Sequence, residues 1–373
     1  MTDETVLEAA NPLGIVRSLE VKRFTVFENE TFKFSPGLNV IVGENDAGKT
    51  HLLKLAYAAT KVLYPEKAGR PVGDDELPIA LTNKLLNVFL PDNLGRLRRI
   101  SGPGSALTAK VALTYGGNGK AGESFAFEIG GLFYKLKVTK APDMRPAQVI
   151  GGPVYLPPRE VVSLVPNFVA DYERLGSRFE ETYLDLVKLL LARPRRGPRA
   201  AGIARLLKPL EKAMGGTLAP DELGRLYLQF EDGKRIEAPL VSEGFRKLAT
   251  LAYLIQNESL ALHGSVFWDE PEANLNPRLM GPLADTLVQL AMDGVQLFIA
   301  THSLFFLREL ALRIDKAKNG PPVPVRYFSL VQDGGKLVVN RAERIDDLEG
   351  VAALDAAIDQ DEALERLYWE SRK

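Results

Sequence analysis

Eight consecutive residues, Gly43-Glu44-Asn45-Asp46-Ala47-Gly48-Lys49-Thr50, have the types and spacing that hold a phosphate chain. They fit G-x-x-x-x-G-K-[ST], the phosphate-binding loop. Gly43 and Gly48 leave the backbone room to curl until its N–H groups point inward. Lys49 then adds positive charge at the outer phosphates, and the Thr50 hydroxyl is placed to ligate Mg²⁺. His51 follows at once and belongs to the same candidate binding segment. Asp46 is the odd member, because its carboxylate sits inside a cradle meant for negative oxygens.

Three further clusters carry chemistry that suits a bound phosphate. Asp269 and Glu270 close the apolar run Ser265-Val266-Phe267-Trp268. One carboxylate there can hold magnesium. The other can take the proton of a water attacking phosphorus, a role that needs a group within hydrogen-bond reach. Asp269 with Thr50 is the candidate metal pair, and Glu270 the candidate base. Thr301-His302-Ser303 closes a second apolar run, Leu297 to Ala300. His302 can bond the terminal phosphate or its water; the plainer alternative is an incidental histidine beside a helix-capping serine. Ser242-Glu243-Gly244 precedes a helical run. A free helix N-terminus with a hydroxyl and a close-approach glycine can receive a phosphate, or Ser242 can simply cap the helix.

These residues need elements that bring them together. Leu38-Asn39-Val40-Ile41-Val42 reads as a short buried strand before the loop, and Leu52, Leu53, Leu55 and Ala56 as the apolar face of a helix after it. The positive N-terminus of that helix favours an anion. From Val241 onward helix and strand alternate. Phe245, Leu248, Leu251, Ala252 and Ile255 mark one helix face, and Leu279, Leu283, Leu287 and Leu290 mark the next, with the two apolar runs between and after them. Such alternation predicts a parallel sheet covered on both faces, with ligands at the carboxyl ends of its strands. The four motifs then converge.

The rest of the chain frames this centre. Ile15-Val16, Leu19 to Val21, Phe24 to Val26 and Phe32 to Phe34 read as antiparallel strands, as do Ala109 to Tyr115, Phe125 to Ile129 and Tyr134 to Val138. Val154 to Leu156 is a strand stopped by Pro157-Pro158. Helices are predicted over Leu81 to Leu90, Tyr172 to Ala192 and about Ala200 to Met214, and hairpins over Leu226 to Ala238 and Val325 to Asn340. The expected division is a flexible N-terminus (1–14), an N-terminal lobe with the phosphate loop (15–160), an inserted helical lobe (161–215), a C-terminal lobe (216–340) and a helical tail (341–373).

Composition narrows the classes. The 373 residues are 46% hydrophobic and 25% charged, enough apolar material for a large core. A net charge of −1 supplies no global pull toward nucleic acid or membrane. Cysteine is absent, which excludes disulfides and thiolate chemistry and suits a cytoplasmic location. No apolar run of about 18 residues exists, so no membrane span is expected. Residues 1–10 lack a basic start and an apolar stretch, so no secretion signal is expected.

In order and wording, "Gly-Leu-Asn-Val-Ile-Val-Gly-Glu-Asn-Asp-Ala-Gly-Lys-Thr", Ser-x-Gly before a helix, "Asp-Glu-Pro-Glu-Ala-Asn-Leu-Asn-Pro" and the following histidine resemble the ABC-type ATPase heads of the SMC, RecF and OLD (overcoming-lysogenization-defect) families. The resemblance covers residues 15–60 and 240–310 well and the middle poorly. It implies an α/β fold, a P-loop NTPase of ABC-ATPase head type: a mostly parallel core sheet flanked by helices, an antiparallel β subdomain and an inserted helical lobe. It further implies ATP with Mg²⁺ as ligands and a homodimer of facing heads. ATP would lie between Lys49 of one copy and Ser242 and Gly244 of the other, with Asn274 along the interface.

Departures sharpen the expectation. Transporter ATPases carry Leu-Ser-Gly-Gly-Gln, whereas Arg246-Lys247 follow the Ser-x-Gly core here, which argues against a transporter. Val154 to Glu160 looks like the lid segment of small OLD-like ATPases. There Arg159 would reach a phosphate and Glu160 the magnesium shell, or the two would form a structural salt bridge at a Pro-Pro turn. OLD-like proteins often carry a Toprim nuclease, and the stretch after His302 is short for one, so a separate effector, nuclease or toxin, is the expected partner in anti-phage defence or DNA maintenance. The alternatives are an SMC/RecF-like DNA-repair clamp and a slowly hydrolysing scaffold. The basic loop Arg193 to Arg199, with Arg205 and Arg96 to Arg99, is the candidate contact for DNA phosphates or else a solvated surface.

Overall fold

The structure is a computed structural model that describes residues 13–65, 69–99, 108–116, 122–130, 135–143, 145–146, 152–165, 167–175, 179–194, 201–221, 225–260, 264–317 and 322–370. Alternating burial along β1 (Ile15–Phe24) and β2 (Phe27–Lys33) marks two half-buried strands, paired antiparallel from Ser18 opposite Lys33 to Phe24 opposite Phe27. Arg23 and Thr25 have φ of 51° and 46°; Phe24 closes β1 and Thr25-Val26 makes the turn, so Phe24 to Val26 is not a strand of its own. β3 (Leu38–Gly43) is buried along almost its whole length and leads through the phosphate loop into α1 (Lys49–Lys61). α2 (Leu77–Phe89) begins four residues ahead of the periodic apolar pattern, with a proline in its first turn where the missing N–H costs nothing. β4 (Ala109–Gly116), β5 (Glu123–Gly130) and β6 (Lys135–Lys140) complete an antiparallel sheet ordered β2-β1-β4-β5-β6.

β7 (Val154–Leu156) is followed by α3 (Phe168–Leu175), α4 (Glu181–Leu190) and α5 (Ala201–Met214). The single helix predicted over 172–192 is thus two. β8 (Gly216–Pro220), β9 (Leu226–Phe230) and β10 (Arg235–Glu237) form a three-stranded antiparallel sheet, one strand more than the predicted hairpin. α6 (Glu243–Gln256), β11 (Ser265–Asp269), α7 (Pro277–Met292), β12 (Gln296–Thr301) and α8 (Leu304–Lys316) follow in the expected alternation. β13 (Val325–Asp333), β14 (Lys336–Ala342) and α9 (Ala352–Glu370) close the chain.

The core sheet runs β14-β13-β3-β12-β11-β7, parallel except for β14. β3 stands between β12 and β13, with Leu38 opposite both Leu297 and Val325. Its residues divide between two apolar layers. Val40 and Val42 join the side carrying α6, α7 and the inserted helices, and Ile41 joins the side carrying α1, α2 and the antiparallel sheet. A central strand without a polar face is what a doubly covered parallel sheet demands. The one polar exception, Asn39, bonds Ser35 and the Leu297 carbonyl.

The inserted helices are fastened to the phosphate-loop side by buried charge. Lys84 on α2 meets Glu181 and Asp185 on α4, both at 2.7 Å, the Tyr57 hydroxyl of α1 donates to Asp185 at 2.6 Å, and Lys54 of α1 meets Glu180 at 2.5 Å. Removing one partner of a buried pair leaves an uncompensated charge. Lys84→Met, which preserves the stem and leaves two carboxylates without their cation, is expected to lower unfolding free energy by about 3–5 kcal/mol in a denaturant titration.

Candidate functional site

Three strand ends and one helix start place the chemistry. The loop after β3 wraps back on itself: Lys49 Nζ donates to the carbonyls of Gly43 (2.8 Å) and Glu44 (2.7 Å). The first N–H groups of α1, from Gly48 to His51, have no carbonyl one turn back, and Leu52 makes the first bond of that kind, to Gly48 at 2.9 Å. Together they form a positive rim suited to an anion. Gly48 has φ of 96°, and a Cβ there would collide with Val26 Cγ2 and come within 3.1 Å of Phe27. The turn of the β1–β2 hairpin therefore backs the loop, and glycine is required at this point. Glu44, Asn45 and Asp46 are exposed, while Ala47 is buried. Asp46 adopts φ of 62°, which asparagine and aspartate tolerate better than most residues. The ring of His51 lies 5.7 Å from that of Phe89 on α2, so its side chain packs between helices rather than toward the loop.

Asp269 ends β11, one strand away from β3 across β12. Its Oδ2 accepts from the Thr50 hydroxyl at 2.7 Å, and Tyr155 Oη on β7 stands 3.5 Å away. Oδ1 is buried with no hydrogen-bond partner. Burial pushes the Asp269 pKa up, the Thr50 bond opposes this, and Glu270 raises it further. A buried carboxylate with one bare oxygen beside a threonine hydroxyl fits a hard divalent cation, which favours oxygen ligands.

Glu270 follows with φ of 48°, its N–H bonded to the Ala300 carbonyl at 2.9 Å. Its Oε1 lies 3.1 Å from His302 Nδ1 at the end of β12. Ser303 accepts from the Phe306 N–H and caps α8, so His302 is held just ahead of a capped helix and remains half exposed. Lys49 is buried, which lowers its pKa; Glu270, Asp269, Glu272 and Asp46 act in the opposite direction, in that order. Lys49, Glu270 and Asp269 therefore share one electrostatic environment. A cavity of about 480 Å³ opens beside Gly43, Glu44, Asn45, His302 and Ser303 and is closed by Val351 at the start of α9.

Ser242 occupies the N-cap position of α6, yet its side chain makes no capping bond and is exposed. The capping alternative is therefore excluded. Gly244 packs under Asn274, whose carbonyl lies 3.0 Å from where a Cβ would stand. Among the described residues, no hydrogen bond or ion pair joins Ser242 or Gly244 to the phosphate loop of the same chain. Glu160 does not join the metal group: it pairs with Arg246 at 2.7 Å and accepts from the Ser163 hydroxyl at 2.7 Å. Arg159 is exposed and lies near Tyr183. The basic surface is also smaller than the sequence implied. Arg205 pairs with Asp293 at 2.6 Å, and Arg99 bonds the Val26 carbonyl at 2.6 Å. Residues 195–199 of the basic loop lie outside the described residues.

Two charged residues at the site escaped the sequence analysis. Glu272 is buried and accepts from the Thr301 hydroxyl at 2.5 Å. Lys247 donates to the carbonyls of Glu270 and Ala273. Both stand inside the quoted motifs, three residues beyond Asp269 and Gly244, and their burial was the missing signal.

Comparison with known proteins agrees with this geometry. Residues 158–308 match a family described as "AAA domain, putative AbiEii toxin, Type IV TA system", and residues 18–70 match a second "AAA domain" family. A 49-residue stretch is 39% identical to the glutamine transport ATP-binding protein GlnQ of Geobacillus stearothermophilus; it spans 13% of this chain and only 20% of that protein. The fold is similar to an SMC head bound to the C-terminal winged-helix domain of ScpA (12% identity, TM-score 0.55, 89% of this chain and 98% of that one). It is also similar to the Pyrococcus yayanosii Smc head with a coiled coil and joint (9% identity, TM-score 0.55, 93% and 99%). Two stretches of the chain thus match AAA-domain families, and the fold is an SMC-head-like P-loop NTPase fold.

Proposed function

We propose that this protein binds and hydrolyses ATP between two copies of itself. The observation that carries the reading is the meeting of Thr50 and Asp269 at 2.7 Å, with one bare Asp269 oxygen, beside the Glu270–His302 pair at 3.1 Å. Thr50 and Asp269 would hold Mg²⁺, which draws charge from the phosphate oxygens when bound. Lys49 leaves the Gly43 and Glu44 carbonyls for the outer phosphates, and the N–H groups of α1 hold the inner ones. Glu270 accepts the proton of the attacking water, and His302 orients its carboxylate and reaches the terminal phosphate. Electrostatic placement of this kind is the main resource in phosphoryl transfer.

The second copy enters because Ser242 and Gly244 form a helix N-terminus without a side-chain cap, to which no hydrogen bond or ion pair runs from the phosphate loop of the same chain among the described residues. Ser242→Ala is expected to leave ATP binding by a single chain unchanged and to weaken ATP-dependent dimers about a hundredfold in light scattering, as loss of two charge-assisted hydrogen bonds, one at each site of the dimer, implies. Equal dimerisation by both proteins would remove the second copy from the site.

The wider role we infer is that of an ATP-switched subunit acting with a separate effector, nuclease or toxin, in the cytoplasm, in defence against phage or in DNA maintenance. The matched family's description, which attaches its toxin–antitoxin term to the AAA domain itself, supports a place in such a two-component system. Among the described residues, no helix is long and apolar enough to cross a membrane. A second reading, an ATP-driven clamp on DNA, is favoured by one feature. Arg193, Arg225 and Arg235 line a cleft of about 930 Å³ around Tyr227, with Arg235 stacked 4.5 Å from its ring; Asp221, paired with Arg225 at 2.7 Å, and Glu237 line it too, so the three arginines outnumber two carboxylates. In that reading DNA stimulates ATPase activity, and Arg225→Glu with Arg235→Glu abolishes the stimulation without changing the basal rate.

A further inference from the structure

Lys247 is a buried charge to which the phosphate chemistry assigns no role. It lies one turn inside α6 and is 3% exposed. Its ammonium donates to the Glu270 carbonyl at 2.8 Å and to the Ala273 carbonyl at 2.9 Å. Burial pushes its pKa down to about 8, against the pull of Glu272, Glu243, Glu270 and Asp269. A methionine of similar length would fill the same space without the desolvation cost of an ammonium. What the ammonium adds is a grip on two backbone oxygens.

Those oxygens belong to a stiff piece of chain. Glu270 and Asn274 both adopt left-handed backbone, at φ of 48° and 62°. For residues other than glycine this costs of order 1–2 kcal/mol each, and it persists only where the surroundings impose it. The Ala273 N–H bonds the Glu270 carbonyl at 3.1 Å, and the Leu275 N–H bonds the Glu272 carbonyl at 3.0 Å. On one side Thr301 holds the Glu272 carboxylate, and Ala300 accepts from the Glu270 N–H. On the other stand Lys247 and the close approach of Gly244 to the Asn274 carbonyl and the Leu275 side chain. α6 therefore touches the loop at two points one turn apart, directly below the uncapped N-terminus at Ser242.

We propose that Lys247 is a positioning residue that carries the state of the α6 N-terminus to the carboxylate of Glu270 in the same chain. It deepens the functional reading and rests on it, because Ser242 and Gly244 are taken to receive the triphosphate held by the second copy. A displacement of α6 on that contact moves the carbonyl that Lys247 grips, and with it the base that must meet the water. Arrival of ATP at one site then arms the base of the other. The two sites fire together because one helix ends at the first and holds the second.

The test measures kcat, the Hill coefficient of turnover and the equilibrium Kd for ATP in Lys247→Met, Ser242→Ala and the double variant of the full chain. Lys247→Met is expected to lower kcat about 10–100-fold, the range expected when a reacting group is misplaced by about 1 Å. Its ATP Kd and melting temperature should stay unchanged, and its Hill coefficient should fall toward one. Because both residues act along one route, the kcat losses of Lys247→Met and Ser242→Ala should not add. Wild-type kcat, losses that add, or a kcat that falls only together with ATP affinity and melting temperature would each overturn the proposal. Should Lys247→Met not fold, Lys247→Gln offers two hydrogens from one nitrogen on a shorter stem, and it is judged by the same three readouts. The two readings separate cleanly. Turnover indifferent to Glu270→Gln sinks the functional reading and this inference with it, whereas Glu270-dependent turnover indifferent to Lys247→Met sinks the inference alone.

Discussion

Glu270→Gln is expected to lower ATP turnover by roughly 10²-fold or more, the usual worth of a positioned general base. The amide keeps the shape of the side chain and can still contact His302, which now stands 3.1 Å from Oε1. It cannot accept a proton. Nothing in the backbone geometry depends on the carboxylate: the Glu270 N–H is bonded to Ala300 and its carbonyl to Lys247. Folding and ATP affinity should therefore be preserved. The ATP-filled dimer, unable to discharge, should accumulate and be visible by size-exclusion chromatography with multi-angle scattering. Unchanged turnover would take Glu270 out of the chemistry and return the role of base to another group.

Asp269→Asn is expected to do two opposite things. Turnover with Mg²⁺ should fall about 10³-fold, since a metal's contribution to phosphoryl transfer amounts to several kcal/mol and the amide is a poor ligand for a hard cation. Stability without metal should rise by about 1 kcal/mol, a common gain when an active-site group that is costly to bury is replaced. The sign follows from the direction of the shift. Burial raises the Asp269 pKa in the folded chain. The folded state thus binds the proton more tightly than the unfolded one, and the stability linked to that proton is present below the ordinary aspartate pKa and lost as pH rises through the folded value. Asparagine never ionises and escapes the loss. The wild-type unfolding curve in EDTA should therefore decline on moving from pH 4 toward neutrality relative to Asp269→Asn. Parallel pH profiles for the two proteins would contradict the assignment of Asp269 as a strained, metal-seeking carboxylate.

Much of this site was legible because the core strands are short apolar runs, each ending in a polar signature. β3, β11 and β12 have no polar face to confuse the pattern, and the residues at their ends are those the motifs named. What stayed hidden depended on tertiary placement. The apolar residues of β13 suited a peripheral hairpin as well as a core strand, and only its pairing with β3 decided between them. The side chain of Lys247 looked like any surface cation until α6 was laid against the loop after β11. Glu160 looked ready for magnesium, but Arg246, four residues past Ser242, reaches it first. The break between α3 and α4 was announced by Gly176-Ser177, directly after Leu175, but the apolar stripe that resumes at Tyr183 made the two helices read as one.

The central pairing also sets a schedule for making the protein. Asn39 of β3 bonds the carbonyl of Leu297, 258 residues further along the chain, and β13 lies later still. A ribosome adding about 5–20 residues per second needs roughly 10–50 s to cover that distance. Throughout it the sticky β3 segment has no permanent neighbours, and the phosphate loop has no Asp269 to answer Thr50. Nascent chains of this protein should therefore be clients of holdase chaperones until translation is nearly finished, and should acquire nucleotide binding abruptly at its end.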